Sequence, residues 1–154
     1  MKIISIILVI VVVVFISRLV IQNITTPTYL GHNQGLLAEM PSKPNAVSSQ
    51  TTATDKFVSP LPYNGSTHET HAAVIAALKS MANNEIKVNE SNYLYTVFTT
   101  KVLRFHDDVE ILLDEQNKQV HFRSQSRAGH SDLGVNRERY EAFKQYYLSL
   151  LNNN

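Results

Sequence analysis

The sequence predicts an α+β protein: an N-terminal transmembrane helix, then a small antiparallel sheet of about four strands with two helices on one face. Three observations carry this expectation. Ile3 to Ile21 is almost continuous hydrocarbon; short β-rich runs separated by polar turns occupy residues 85–124; and helical periodicity brackets those runs, over 68–82 and again from 136 onward. The 154 residues therefore divide into a transmembrane signal anchor (1–22), an extended tether and strap (23–56) and one folded domain (57–154).

In the first segment only Ser5 interrupts Ile3 to Phe15, and after Ser17 and Arg18 the apolar run resumes as Leu19-Val20-Ile21. Those residues, at about 1.5 Å each, span roughly 28 Å, close to the ~30 Å hydrocarbon core of a bilayer. Arg18 falls in the last turn, where a long stem lets its guanidinium reach the head groups. A cleaved signal peptide is the rival reading, since Lys2 supplies the basic start. Cleavage requires small residues before the cut, however, and the first alanine in the chain is Ala38. Lys2 and the terminal amine favour an inside N-terminus and a C-terminal domain outside the cytoplasm, a bias that Arg18 weakens.

Gln22 to Lys56 is rich in Thr, Ser, Asn, Pro and Gly and holds no sustained period, the pattern of a linker. Pro41 and Pro44 keep their preceding residues extended, which suits a strap lying across the domain. Phe57 to Tyr63 reads as an irregular, packed entry. Ser66 or Thr67 can cap a helix from His68 to about Ala82, with Ala72, Ile75, Leu78 and Met81 or Ala82 on its apolar face. Glu85–Val88 and Tyr93–Thr100 read as strands.

The clearest hairpin joins Val109–Leu113 to Val120–Ser124 through Glu115-Gln-Asn-Lys118. A four-residue loop sets Leu113 opposite Val120, Ile111 opposite Phe122, and Glu110 opposite Arg123, an ion pair of about 0.2–1 kcal/mol that fixes register. A closing helix is expected near Asn136 as its cap, with Tyr140, Phe143, Tyr147 and Leu150 along one stripe.

Composition excludes several classes of function. Beyond the apolar segment, twelve basic residues face thirteen acidic ones, without the cationic excess that nucleic acid demands. With no cysteine, disulfides, zinc thiolates, thiol catalysis and lipoprotein acylation are impossible. Nucleophile-elbow, phosphate-loop and dinucleotide motifs are absent from the sequence. Asn23, Asn64 and Asn89 head glycosylation sequons at a frequency close to chance.

Five of the six arginines fall between positions 104 and 139, whereas the eight lysines are scattered. Arginine's planar fork suits carboxylates and phosphates, so this clustering implies geometry rather than bulk charge. The candidate set is Arg104, Asp107, Asp108, Arg123, Ser124, Ser126, Arg127, Asp132, Asn136, Arg137 and Arg139. One reading makes it a structural network, with Glu110 as a further partner, that pins residues 124–135. A second makes Arg123 to Arg127, with Gly129 and Gly134, a pocket for a carboxylate or phosphate. A metal site from His106, Asp107, Asp108, His130 and Asp132 lacks any recognised ligand spacing. Ser124, Ser126 and Ser131 lie near His121 and His130 in sequence, but a triad is defined by positions in space. No catalytic residue, metal ligand or cofactor is assigned.

Pro41-Ser-Lys-Pro-Asn-Ala-Val-Ser-Ser-Gln50, Phe57-Val-Ser-Pro-Leu61, Phe105-His-Asp-Asp-Val-Glu110 and the block from Val120 to Arg139 together resemble the family known as domain of unknown function fourteen-ninety-nine, over about residues 40 to 150. The matching positions are Pro44, Asn45, Ser48, Ser49, Asp107, Asp108, Arg123, Ser124, Ser126, Arg127, Gly129, Asp132, Gly134, Asn136, Arg137 and Arg139. The resemblance implies a small bacterial protein, membrane-anchored or exported, with plastid relatives and no biochemical activity to carry over. Many relatives carry cysteines around the Pro-Asn block, where this chain has Met40 and Ala46, so no thiol role transfers. The expectation is a single-pass protein of the bacterial inner membrane that contacts lipid through residues 3–21. Its domain is expected to be a non-catalytic binding or structural module for an envelope protein. The alternative is an anion-, lipid- or small-molecule-handling domain, hydrolytic in one version, that uses the Arg-rich loop.

Overall fold

The computed structural model describes residues 2–152. Helix α1 (Lys2–Ile24) is a continuous apolar rod of 23 residues, and none of its residues is buried against the rest of the chain. At about 1.5 Å per residue it is roughly 35 Å long.

Five strands in the order β3 (Ala46–Ser48), β8 (Gln119–Ser126), β7 (His106–Asp114), β6 (Tyr93–Thr99), β5 (Asn84–Asn89) form an antiparallel sheet. A sixth, β4 (Leu61–Pro62), pairs with the other half of β8's outer edge, through Leu61 with Val120 and Pro62 with Gln119. The four expected strands thus form a simple meander, β5 to β8. The two additions come from segments read as strap and entry, each too short to show a period-two pattern. The hairpin register is the one expected: Leu113 faces Val120, Ile111 faces Phe122 and Glu110 faces Arg123.

Helices α2 (Thr67–Ser80) and α3 (Val135–Leu151) pack on one face of the sheet. Ser66 caps α2 in a reciprocal capping box with Glu69, whose carboxylate accepts from the Ser66 amide at 2.8 Å. Its buried face is Thr70, Ala73, Val74, Ala77 and Leu78, rotated from the expected stripe so that Ala72 is exposed and Ile75 half-buried. Small residues at 73 and 77 allow close approach to the sheet, which the larger Ile75 does not. The α3 stripe is as expected at Tyr140, Phe143 and Tyr147, and their rings continue from Phe122: Phe122–Phe143 centroids lie 5.5 Å apart and Phe143–Tyr147 6.0 Å.

Asn136 does not cap α3. Gly134, in the left-handed conformation (φ +89°), occupies the cap position and has no side chain to offer. Asp132 takes over, accepting from the Gly134 amide at 3.1 Å and the Asn136 amide at 2.9 Å.

The opposite face of the sheet is also covered. Tyr93, Tyr95, Val97 and Leu112 form a second core with Leu37, beneath the segment Tyr29–Ala38. That segment folds as a hairpin, β1 (His32–Asn33) and β2 (Leu36–Leu37), turning through Gln34 and Gly35, both at positive φ. Gln50 fastens it, accepting from Leu37 N at 2.9 Å and donating to Gly35 O at 2.8 Å. Within residues 23–56, then, 45–49 lie on the domain as a strap joined to β8, and 29–38, read as part of the tether, fold against the sheet as well.

Candidate functional site

Strand β7 presents successive side chains to opposite faces, and the candidate residues divide accordingly. On the face covered by Tyr29–Ala38 lie two parallel rungs. In the first, Arg123 donates to Glu110 Oε2 at 2.9 Å, while Tyr93 Oη donates to Glu110 Oε1 at 2.7 Å and the Gly31 amide to the same oxygen at 2.8 Å. Arg123 also donates to Ala38 O at 3.1 Å and to the Gln125 amide oxygen, under the ring of Tyr29 at 4.7 Å. In the second, Arg127 forks onto Asp108 through Nε (3.0 Å to each oxygen) and Nη2 (2.8 Å), and Tyr95 Oη donates to Asp108 at 2.6 Å. Burial disfavours the Arg127 charge, yet the bonds and charge of Asp108 outweigh it and hold the guanidinium more basic than usual. Burial, with the adjacent carboxylates, pushes the hydroxyls of Tyr93 and Tyr95 far above the ordinary tyrosine range.

On the helix face Arg139 of α3 donates to Asp107 at 2.5 Å and to the Asn136 side-chain oxygen at 2.6 Å, with its guanidinium 4.8 Å from the Phe98 ring centroid. Ser124 donates to Asn136 Oδ1, and the Asn136 amide group donates to Ser126 Oγ (3.0 Å), Asn45 O (3.0 Å) and Asp132 (2.7 Å). Asn136 is fully buried and joins α3, β8, β3 and the loop between β8 and α3.

Ten of the eleven candidates therefore hold the fold together, nine of them within the buried rungs and the Asn136 hub. Arg137, nearer the surface, donates to the carbonyls of Asp55 and Phe57. The structure leaves Arg104 apart: its side chain is exposed in the turn before β7, and only its carbonyl is engaged, by Asn23. The anion pocket read from Arg123 to Arg127 is not assembled, because Arg123 and Arg127 point to one face while Ser124 and Ser126 point to the other. Asp107 and Asp108 part in the same way, and among the described residues no group of three His, Asp or Glu side chains converges as a metal would require.

A concave site missed in the sequence lies at the far end of β7 and β8. It is a cleft of about 610 Å³ between the β1–β2 hairpin and the β7–β8 turn, with His32, Gln50, Asn92, Asp114, Gln119 and His121 among its lining. Ser49 Oγ lies 3.2 Å from His121 Nδ1, and His121 Nε2 is 3.7 Å from Asp114. Burial holds the His121 ring less basic than usual, against the nearby Asp114 charge. Hydrogen bonds from Asn117 hold Asp114 below the usual carboxylate range. The Ser49 hydroxyl also accepts from the Phe122 amide at 3.0 Å, and that bond positions its oxygen beside the ring. The signal in the sequence was faint, because 72 residues separate Ser49 from His121 and only the pairing of β3 with β8 unites them.

No curated protein matches this chain. A family model matches residues 36–146, the stretch from β2 through most of α3 that holds the paired side chains of both rungs, the Asn136 hub and most of the cleft lining, with Gly31 and His32 just outside it. With well over half its length so matched, the chain belongs to the family described as Protein of unknown function (DUF1499).

Proposed function

We propose that this is a single-pass membrane protein whose domain stands outside the cytoplasm as a non-catalytic binding or structural module of the cell envelope, in the inner membrane of a bacterium. One observation carries the reading: α1 is 23 residues of nearly unbroken hydrocarbon, and none of them is buried in the chain. Hydrocarbon that finds no partner within the protein finds one in lipid. In alkaline carbonate the full chain is expected to remain with the membrane pellet, and a reporter fused after residue 154 to behave as non-cytoplasmic. Extraction into the aqueous fraction with residues 1–24 attached overturns the anchoring; a cytoplasmic reporter overturns the orientation.

The binding surface we assign is the cleft beside His121, since the guanidinium groups of Arg123, Arg127 and Arg139 are engaged inside the fold. A partner crosslinked in membranes is expected to be lost on joint replacement of His32 and Asn92 by alanine. Retention of that partner speaks against the cleft.

The contact between Ser49 and His121 favours a second reading, hydrolysis of a small ester or amide at the floor of the cleft, where His121 of the lining reaches back to the buried Ser49. His121 would take the Ser49 proton as the oxygen attacks a carbonyl carbon and give it to the leaving group as that bond breaks; water, deprotonated by His121, would then cleave the acyl-Ser49 ester and the proton would return to Ser49. Covalent labelling of wild type but not Ser49→Ala by a fluorophosphonate supports this chemistry, and absence of labelling in the wild type removes it.

A further inference from the structure

Among the described residues outside α1, the most exposed large apolar side chains are Leu133 (91%), Val102 (87%) and Leu103 (68%). Val102 and Leu103 sit in the turn from β6 to β7, and Leu133 in the loop from β8 to α3, beside Pro44 and Lys56. Thr99 pairs with His106, and Asp107 with Ser126, so the β6–β7 and β8–α3 connections leave the sheet together.

That is also the end at which α1 emerges. Asn23, in the last turn of α1, donates to Arg104 O at 3.0 Å and accepts from the His106 amide at 2.7 Å, while Arg127 donates to the Asn23 carbonyl at 3.3 Å. The β6–β7 connection is a closed turn. Thr100 N donates to Phe105 O at 2.9 Å, the Phe105 amide returns to Thr100 Oγ1 at 2.8 Å, and Arg104 takes a left-handed φ of +56° to close it. Val102 and Leu103 are held outward at its tip. Exposed Lys101 and Arg104 flank them, and the adjacent carboxylates Asp107 and Asp108 are buried against arginines, so the tip presents apolar surface rimmed by positive charge. Apolar residues between basic ones are the chemistry of an interfacial contact with anionic lipid.

We propose that Val102 and Leu103, assisted by Lys101, Arg104 and Leu133, insert into the interfacial layer of the same bilayer that α1 crosses. The contact rests on the membrane reading of α1 and adds to it: the domain is seated on the lipid surface by a second, shallow point of insertion.

The chain contains no tryptophan, so single introduced indoles report position directly. Full-length Val102→Trp, Val12→Trp in mid-α1 and Gln116→Trp at the opposite end of the sheet are reconstituted in phosphatidylcholine–phosphatidylglycerol vesicles. The lipids are brominated either near the head groups or deep in the acyl chains. V102W is expected to show a blue-shifted emission quenched mainly by shallow bromine, V12W quenching mainly by deep bromine, and Q116W the emission of water. Joint Lys101→Glu and Arg104→Glu replacement in V102W is expected to remove the blue shift. Water-like emission from V102W alongside a deep V12W overturns the second insertion and leaves the anchor standing. Water-like emission from both overturns the anchor itself. All three sites are on exposed surface, and an unchanged thermal midpoint for each variant verifies folding.

Discussion

Asp107 and Asp108 are consecutive in β7 yet bind arginines on opposite sides of the sheet, Asp107 meeting Arg139 of α3 at 2.5 Å and Asp108 meeting Arg127 beyond β8 at 2.8 Å. Both carboxylates are shielded from water, at 2% and 0% exposure. Neutralising one partner leaves the other charge buried and unpaired, which costs far more than an exposed ion pair is worth. Asp108→Asn is expected to lower the unfolding free energy by roughly 3–5 kcal/mol in urea titrations, with much of it recovered when Arg127 is replaced by Met in the same chain. A loss within the ~1 kcal/mol of a surface pair contradicts this account.

The aromatic stripe of α3 gives an alkaline limit to stability. Burial raises the Tyr140 hydroxyl from 10.0 to about 12, and Tyr147 likewise to about 12. An acid with a raised folded pKa favours the native state while protonated. Its contribution is complete below the unfolded value and lost as pH rises from 10 towards 12. Denaturant midpoints are expected to fall across that window, and less steeply in Tyr140→Phe, which forfeits about 1 kcal/mol at neutral pH with the bond to Ser59 O. A midpoint independent of pH in this range contradicts the assignment.

Acid acts through the cleft. Burial depresses the His121 pKa below 6.5, and Asp114 is depressed from 3.8. In both cases the unfolded chain takes up the proton first, so stability is retained at higher pH and lost on acidification. The His121 share disappears as pH falls below about 6.5, and the Asp114 share only below about 4. NMR titration of the His121 ring is expected to give a midpoint below that of free histidine. A midpoint above it means that the charge of Asp114 dominates over desolvation.

Asp132, rather than Asn136, secures the start of α3. Asp132→Ala is expected to cost about 1 kcal/mol as a lost helix cap. Asn136→Ala is expected to cost more, because it takes from the interior the donor to Ser126 Oγ and the oxygen that accepts from both Ser124 and Arg139. Equal losses from the two substitutions, measured by urea unfolding, argue against this division of roles.

The meander β5 to β8 was legible because its strands are long enough for alternation to show and its turns are polar. The Glu110–Arg123 register followed from loop length alone. Composition concealed the burial of that pair: alternating apolar and charged residues in β7 suggest one wet face, and only the Tyr29–Ala38 hairpin makes it dry. This hairpin and the three-residue β3 lie in a stretch rich in Thr, Ser, Asn, Pro and Gly, where local propensity signals a linker and tertiary contacts prevail. The arginine cluster was visible in the sequence as a run of positions. Strand alternation sends Asp107 and Asp108 to opposite faces, so Arg139 of α3 and Arg127 are drawn to different sides, and Arg104 fell outside because its left-handed backbone turns it into a loop. The Ser49–His121 contact requires a pairing between distant segments that one sequence does not encode locally.

The hydrogen bonds of Asn23 make α1 and the sheet one lever. β7 runs nine residues from that junction to the turn beside the cleft, roughly 30 Å at ~3.3 Å per residue. With α1 in a bilayer, the His121 cleft opens at the distal tip of the molecule, facing away from the lipid surface. On the proposed anchoring, we expect a visitor to this cleft to arrive from the aqueous side rather than laterally through the membrane.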